Sequence, residues 1–245
     1  FMAVIIATSV GSGAVYAKHK YDEFVSAVAP PQELLGELPR GGARIYDRNG
    51  LLLYEFIDDL GGLRRPVPLS EISEWLVLAS ISTEDSDFWV NNGLNVRGLV
   101  RAAWENFSPV GGNVFEGSGG SSITQQLAKN VYIPREERLE RSVERKLKEA
   151  AIAIELTNRY SKEQILEWYL NSIFYGNHAY GIGAASQRYF GKPAAELSLA
   201  EAALLAGLVQ GPSRMSPHRD FDAARKRQVY VLDRMQQHGK LSPRQ

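Results

Sequence analysis

The chain has 245 residues, of which 44% are hydrophobic and 23% are charged, so it is long enough to bury a sizeable core in one large domain. Lysine plus arginine and aspartate plus glutamate each number 28, and this balance excludes nucleic acid as a partner attracted by net charge. Cysteine is absent, which excludes a disulfide framework, a thiolate metal site and a cysteine nucleophile. Recognition of a charged substrate must therefore come from local clusters.

The first residues form an apolar stretch. Residues 1–17 carry no charge and are followed by Lys18, His19 and Lys20. Because a membrane-spanning helix needs about 20 apolar residues, we predict that residues 1–20 are the outer part of a truncated transmembrane anchor. A signal-peptide core and a buried helix are the alternative interpretations of such a stretch.

Residues 21–65 are predicted to form a linker that contains a short β-hairpin. Prolines near its start favour an extended connector. Two β-prone runs then flank Asn49-Gly50 within residues 43–56. Asn-Gly is a strong hairpin signal, because both residues tolerate positive φ.

From residue 66 onward the pattern is helical and contains no internal repeat. Ser70 is predicted to cap a helix that runs toward Thr83. Gly and Ser dominate residues 106–122, which predicts a loop. Further helices are predicted over residues 96–106, 121–130, 138–159, 162–171, 181–190, 198–208 and 223–238. The sequence therefore predicts one mainly α domain over residues 66–245.

An acidic cluster ends the first of these helices. Glu84, Asp85 and Asp87 fall within four positions, and like charges this close raise at least one pKa, which suits a carboxylate that accepts a proton near neutral pH. A solvated acidic helix end explains this segment equally well. The Asp-x-Asp spacing is also used by many nucleotide-sugar glycosyltransferases to hold a divalent cation. That interpretation requires an α/β nucleotide-binding domain, which the helical pattern does not predict.

Glycines lead into a helix within residues 119–130. Their backbone N–H groups would face an anion at the helix start, and Lys129 would add a positive charge one to two turns further on. The order Gly-x-x-x-x-Gly-Lys-Ser/Thr of a nucleotide P-loop is absent. Taken alone, this segment is more typical of an ordinary capped helix.

A third segment places a carboxylate beside cations. Helical spacing puts Arg145 and Lys146 one turn before Glu149, while apolar residues follow on the same side of the helix. The pattern predicts a buried Glu149 held beside a basic cluster. A functional site and a structural ion-pair network fit that pattern equally well.

Together the three segments resemble the signature motifs of the family 51 glycosyltransferases. This family comprises the glycan-polymerising domains of class A penicillin-binding proteins and the monofunctional peptidoglycan glycosyltransferases. Residues 162–171 resemble its fourth motif, and residues 179–186 with 189–192 resemble its fifth. The resemblance covers residues 66–234 and keeps motif order and spacing, so five segments in register support it.

The resemblance implies a lysozyme-like helical lobe with a smaller membrane-facing jaw, and head-to-tail polymerisation of lipid II with release of undecaprenyl pyrophosphate. It implies that Glu84 is the general base for the acceptor sugar's 4-hydroxyl and that Glu149 is the second catalytic carboxylate. It places Lys129, Arg145 and Lys146 at the donor phosphates. Its further substrate-binding positions are matched by Asp85, Phe88, Ser122, Gln125, Gln126 and Asn130.

Three positions depart from the family's pattern. Asn91 stands where the family usually has His, Ser122 where it usually has Thr, and Thr157 where Glu is common. The hydroxyl survives at Ser122, whereas the imidazole is lost at Asn91. We expect these changes to affect rate and substrate detail rather than reaction class.

The resemblance also implies partners and a location. The partners are lipid II, the growing glycan chain, a membrane and other cell wall synthesis proteins, with no nucleic acid. The location is the cytoplasmic membrane, with a single span and the catalytic domain on the outer face. No organic cofactor and no protein metal ligand are expected, although the chemistry leaves room for a divalent cation such as Mg²⁺ or Mn²⁺.

Two other functions compete with this interpretation. A glycan-cleaving enzyme of the lysozyme or lytic transglycosylase type would also use one Glu in a helical lobe. The basic cluster argues against it, because cleavage of a neutral glycosidic bond does not need cations at the donor. A membrane-anchored scaffold that binds partners is the non-enzymatic alternative.

Overall fold

The computed structural model describes residues 15–26, 28–38, 43–57, 62–95, 120–140 and 142–242, and helices dominate them. A helical stretch at residues 15–25 is labelled α1. The other helices are α2 (Pro31–Gly36), α3 (Glu74–Glu84), α4 (Ile123–Tyr132), α5 (Val143–Arg159), α6 (Lys162–Ser172), α7 (Ile182–Phe190), α8 (Leu199–Leu208) and α9 (Phe221–Gln237). The predicted mainly α class is therefore confirmed.

Short strands form two small sheets. The strands are β1 (Arg44–Tyr46), β2 (Leu52–Glu55), β3 (Leu63–Arg64), β4 (Phe174–Gly176) and β5 (Ala179–Tyr180). β1 and β2 pair antiparallel across a turn that contains Asn49 and Gly50, and Gly50 has a φ of 82°. In the second sheet β5 lies between β3, to which it is parallel, and β4, to which it is antiparallel.

Three of the helices begin with a capping box. In each box a serine hydroxyl accepts a backbone N–H of the first turn, and a Gln or Glu side chain accepts the backbone N–H of that serine. The serines are Ser122 before α4, Ser161 before α6 and Ser198 before α8. A cap of this kind stabilises a helix by about 1 kcal/mol, which explains why these starts lie close to their predicted positions.

Two helix starts differ from the prediction. Ser70 lies within a 3-10 turn at Leu69–Glu71, and α3 begins only at Glu74 because Ile72 between them is extended. Toward α5, a separate 3-10 turn at Glu137–Leu139 replaces the predicted start at residue 138. The Ser142 hydroxyl accepts the Arg145 N–H at 3.1 Å, and this cap sets the start of α5.

Some of the predicted elements lie outside the described residues. These are the helix over residues 96–106 and most of the loop over residues 106–122. Most of the predicted anchor at residues 1–20 also lies outside them. Within the part of the chain that the structure describes, no helix is both long enough and apolar enough to cross a membrane.

One hydrophobic core joins the helices. Its members include the fully buried Leu76, Leu127, Leu156, Tyr169 and Leu205. The helix α3 packs against α8 and α9, while α4 packs against α5 and α6. The helix ends that carry the predicted motifs are therefore held in place by one tightly packed core.

Two glycines allow loops to pack closely against neighbouring backbone near these helix ends. Gly93 has a φ of 96°, and a Cβ there would lie 2.5 Å from the Ala153 carbonyl oxygen of α5. Gly176 has a φ of 86°, and its Cβ would lie 2.5 Å from the Pro212 carbonyl oxygen. Because only glycine fits without backbone movement, these residues fix the loops near residues 93 and 212.

Candidate active site

A cavity of about 500 Å³ is bordered by α3, α4, α5 and α9. Both predicted catalytic carboxylates, Glu84 and Glu149, line it. Its complete lining is Glu84, Ser121, Gln125, Gln126, Lys129, Asn130, Lys146, Glu149, Ile173, Phe174, Val209, Gln210, Pro212 and Arg227. The fold thus brings the first three predicted motifs to one space.

Glu84 is the last residue of α3 and lies on the cavity wall. Gln126 of α4 donates a hydrogen bond from Nε2 to the Glu84 carboxylate oxygen Oε2 at 2.7 Å. Tyr169 in turn donates to the Gln126 Oε1 at 3.4 Å, which orients the amide. Burial raises the pKa of Glu84, and the Gln126 bond and the charge of Arg227 oppose that rise. This environment suits a group that takes up a proton near neutral pH.

Asp85 points away from the cavity and is fully buried. Its two oxygens accept hydrogen bonds from the Asn91 Nδ2 at 3.1 and 2.9 Å, and Oδ2 also accepts the Ile123 N–H at 3.1 Å. Ile123 is the first residue of α4, so Asp85 ties the end of α3 to the start of α4. Burial raises the pKa of Asp85 to about 6, against the opposing effect of these hydrogen bonds.

Asn91 and Phe88 support Asp85 rather than line the cavity. The Asn91 Oδ1 accepts the Lys162 Nζ at 2.9 Å and the Gly93 N–H at 3.0 Å. Phe88 is fully buried, and the Lys162 ammonium lies 4.8 Å from its ring centroid. An amide at position 91 can donate to the carboxylate and accept from the lysine at once, so Asn91 bridges the two charges.

Glu149 is buried at 1% exposure and is held by two cations of its own helix. The Arg145 Nη1 donates to one carboxylate oxygen, and the Lys146 Nζ donates to the other at 2.7 Å. The Arg145 Nε also donates to the Glu140 carbonyl at 2.7 Å, which fixes the guanidinium. The predicted burial of Glu149 beside a basic cluster is confirmed, but Arg145 itself is not part of the cavity lining.

Lys129 projects from α4 into the same cavity. Burial lowers the pKa of its ammonium, and the negative charge of Glu149 opposes this effect. Within the described residues, no carboxylate oxygen lies within 4.0 Å of its Nζ. Lys129 is therefore a cation inside the cavity whose charge is available to an anion.

Two of the predicted substrate-binding residues, Ser122 and Gln125, form the capping box at the start of α4. Ser122 is fully buried, accepts the Gln125 N–H at 3.0 Å and donates its hydroxyl to the Gly93 carbonyl. The Gln125 Oε1 accepts the Ser122 N–H at 2.9 Å while the residue lines the cavity. Asn130 also lines the cavity, whereas Asp85, Phe88 and Ser122 do not.

The sequence analysis did not identify several residues of the lining, namely Arg227, Ile173, Phe174, Val209, Gln210 and Pro212. All of these except Arg227 follow directly after helices and carry no pattern that marks a site. Arg227 does carry one, because it lies on the same stripe of α9 as the buried Ala224, Val231 and Met235. A charged residue on an apolar stripe is a candidate for a functional role.

Asp85 is not available as a ligand of the cation that the Asp-x-Asp spacing suggested. Both oxygens of Asp85 are occupied by hydrogen-bond donors from the protein. Throughout residues 15–242, as far as the structure describes them, no group of three or more His, Asp or Glu side chains is arranged to hold a metal ion.

Known proteins are similar to this chain over most of its length. The sequence model of the transglycosylase family matches residues 53–236. Penicillin-binding protein 1A of Aquifex aeolicus is 41% identical over 217 residues, which are 88% of this chain and 28% of that protein. Penicillin-binding protein 1A of Escherichia coli is 38% identical over 237 residues, which are 96% and 26% of the two chains. A crystal structure of penicillin-binding protein 1A from Haemophilus influenzae aligns at 26% identity with a TM-score of 0.45, covering 82% of this chain and 19% of that one.

The fold and the cavity define a mainly helical domain that brings carboxylates and cations together in one space. The chain belongs to the transglycosylase family, which is glycosyltransferase family 51. It spans about a quarter of the length of the penicillin-binding proteins 1A that it matches.

Proposed function

We propose that the chain is a peptidoglycan glycosyltransferase that polymerises lipid II into glycan strands and releases undecaprenyl pyrophosphate, in bacterial cell wall synthesis. One observation carries the proposal. A single cavity holds Glu84, a carboxylate that forms no ion pair with the described residues, and a group of cations around a second carboxylate, Glu149. Membership of the transglycosylase family supports it.

In this proposal Glu84 is the general base. It takes the proton of the acceptor sugar's 4-hydroxyl as that oxygen attacks the anomeric carbon of the donor. The new glycosidic bond forms while the bond from the anomeric carbon to the pyrophosphate oxygen breaks, and the electron pair leaves with the pyrophosphate. Because Gln126 holds only one of the two Glu84 oxygens in the described contacts, the other oxygen can accept the proton.

The cations stabilise the leaving group. A pyrophosphate gains negative charge as it departs, so it needs placed positive charges more than it needs a proton. Lys129 and Lys146 face the cavity and can contact the phosphates directly. Arg145 acts on the donor side by holding Glu149, whose two oxygens orient both Arg145 and Lys146.

We assign the other predicted substrate-binding residues two different roles. Gln125, Gln126 and Asn130 line the cavity, where they can contact the sugars. Asp85, Phe88 and Ser122 are buried and hold the ends of α3 and α4 in register.

The proposed substrate also requires a membrane, since its lipid tail is insoluble in water. We propose that residues 1–20 belong to the anchor, that residues 66–245 form a lysozyme-like lobe with a membrane-facing jaw, and that the domain stands on the outer face of the cytoplasmic membrane. The growing glycan chain and other cell wall synthesis proteins would then be its partners.

The test uses the chain in detergent with labelled lipid II in one reaction and preformed glycan strands in another. We expect polymer and free undecaprenyl pyrophosphate from lipid II, and no change in the glycan strands. Shortened glycan strands together with no product from lipid II would instead establish the lytic function. Inertness toward both substrates would favour a scaffold.

A further inference from the structure

Arg227 is a buried cation at the active-site cavity. Its helix α9 packs against α3, which ends at Glu84, and against α8. Arg227 is 7% exposed, whereas its neighbours Arg225 and Lys226 are exposed. Burial of a charge is costly unless the charge meets an opposite charge or hydrogen-bond partners, so this position requires an explanation.

The fold builds a place for the Arg227 side chain. A Cβ at Gly207 of α8 would lie only 3.0 Å from the Arg227 Cγ, so the absence of a side chain there makes room for the stem. The guanidinium lies 4.2 Å from the ring centroid of Tyr230, within cation–π range. Its Nε is buried and has no hydrogen-bond partner.

No carboxylate within the described residues forms an ion pair with Arg227 at 4.0 Å or closer. The acidic side chain that acts on it electrostatically is Glu84, which lines the same cavity. The two side chains therefore line one cavity and form no ion pair with each other. This differs from Glu149, whose two cations touch its oxygens.

We propose that Arg227 is a positioning residue that keeps the Glu84 carboxylate ionised from across the cavity without pairing with it. The inference rests on the proposed function of Glu84 as the general base. A direct ion pair would occupy the lone pairs that must accept the substrate proton. A cation at a distance stabilises the negative charge of Glu84 and leaves the oxygen free.

The other groups near Glu84 do not supply this positive charge. Gln126 is neutral, and burial raises the pKa of Tyr169 and Tyr175, so both phenols are neutral at pH 7. Of the remaining ionisable residues of the cavity, Lys146 is bonded to Glu149, and the charge of Lys129 interacts mainly with Glu149. Burial raises the pKa of Glu84, and Arg227 is the cation that lowers it.

The experiment compares Arg227→Gln, Arg227→Lys and the wild type by measuring kcat/KM for lipid II polymerisation between pH 5.5 and 9. Arg225→Gln, on the exposed face of the same helix, is the matched control. For Arg227→Gln we expect the acid limb of the profile of kcat/KM against pH to move up by about one pH unit. The value of kcat/KM should then fall roughly tenfold at low pH and only about twofold above pH 8.5. Arg227→Lys should keep most of the wild-type profile, because it retains the charge.

An equal loss at every pH, or an Arg227→Lys profile that matches Arg227→Gln, would show a purely structural role and overturn the proposal. If Arg227→Gln does not fold, Arg227→Met retains the stem packing against Gly207 and carries the same expectation. A ¹³C NMR titration of the Glu84 carboxyl, assigned with Glu84→Gln, should show the same upward shift in its midpoint. This readout needs no substrate, so it still tests Arg227 if the wild type fails to polymerise lipid II.

Discussion

Glu84 and Glu149 line the same cavity, but the protein holds them in opposite ways. Glu84 is held by a neutral amide, Gln126, and shares the cavity with the cation Arg227 without forming an ion pair with it. Glu149 is bonded to Arg145 and Lys146 through both of its oxygens. A carboxylate without an ion pair can accept a proton, whereas one bonded to two cations remains an anion and orients them.

The difference shows how two residues of one type perform different tasks. The environment of Glu84 favours proton uptake at the expense of stability, because burial raises its pKa. The environment of Glu149 supports the fold and, in the proposed reaction, places positive charge at the donor. Substitutions at these residues and their supports should therefore separate activity from stability.

The largest effect on stability is expected from Glu149→Gln. The change leaves Arg145, which is only 10% exposed, without its carboxylate and should cost about 3 kcal/mol of unfolding free energy. Polymerisation should also fall by at least about 100-fold, because Lys146 and Arg145 lose their orientation. Urea denaturation and a polymerisation assay measure the two effects.

Glu144→Gln is the matched control for Glu149→Gln. Glu144 lies on the same helix, is 73% exposed, and comes no closer than 4.0 Å to Lys20. Its loss should change the stability by less than about 0.5 kcal/mol. Equal effects of the two substitutions would show that the Glu149 cluster does not support the fold.

A smaller effect is expected from Asn91→Leu. The change removes the two hydrogen bonds to the buried Asp85 carboxylate and the acceptor of Lys162, which should cost about 2 kcal/mol. Activity should fall as well, because Asp85 also holds the first N–H of α4, the helix that carries Gln126. Asn158→Leu, at an exposed position on α5, controls for the change in residue type.

For Asn91→Leu, chemical denaturation and kcat/KM measured on the same preparation provide the test. If the variant were as stable as the wild type but less active, Asn91 would contact the substrate rather than support Asp85. The variant Asn91→His introduces the residue that the family usually carries and should retain more stability than Asn91→Leu.

The smallest effect concerns the pH dependence of stability. Folding raises the pKa of Asp85 from 3.8 to about 6, because burial penalises the charge. Between these values the native state binds the Asp85 proton more tightly than the unfolded chain does, so this residue favours the native state at low pH. The contribution is lost as the pH rises through 6.

Relative to Asp85→Asn, the wild type should therefore lose about 2 kcal/mol of unfolding free energy between pH 4.5 and pH 7. Denaturant titrations of both proteins at several pH values measure the difference in unfolding free energy. The titration of Glu84 contributes to both proteins and therefore cancels in this difference. A difference that is independent of pH would contradict the raised pKa of Asp85.

Local sequence patterns predicted those features of the structure that depend on residues close together in the chain. The helical pattern predicted α6, α7 and α8 closely, because this signal acts within a few residues. The cluster of Glu149 with Arg145 and Lys146 was predicted for the same reason, since its members are three and four residues apart.

Contacts between distant segments could not be predicted in this way. Asp85 binds the Ile123 N–H and Glu84 binds Gln126 only because the fold brings the end of α3 next to the first turn of α4. The family resemblance indicated which residues belong together, but it did not show that Asp85 and Phe88 point away from the cavity. The position of Arg227 likewise depends on the packing of α9 against α3 and α8.

The most direct test of the account is the substitution Glu84→Gln, assayed with lipid II at saturating concentration in detergent. We expect polymer formation to fall on the order of 10³-fold. The melting temperature should equal or exceed that of the wild type, because the substitution removes a buried charge that forms no ion pair within the described part of the chain. Polymer formation within tenfold of the wild type would contradict the assignment of Glu84 as the general base.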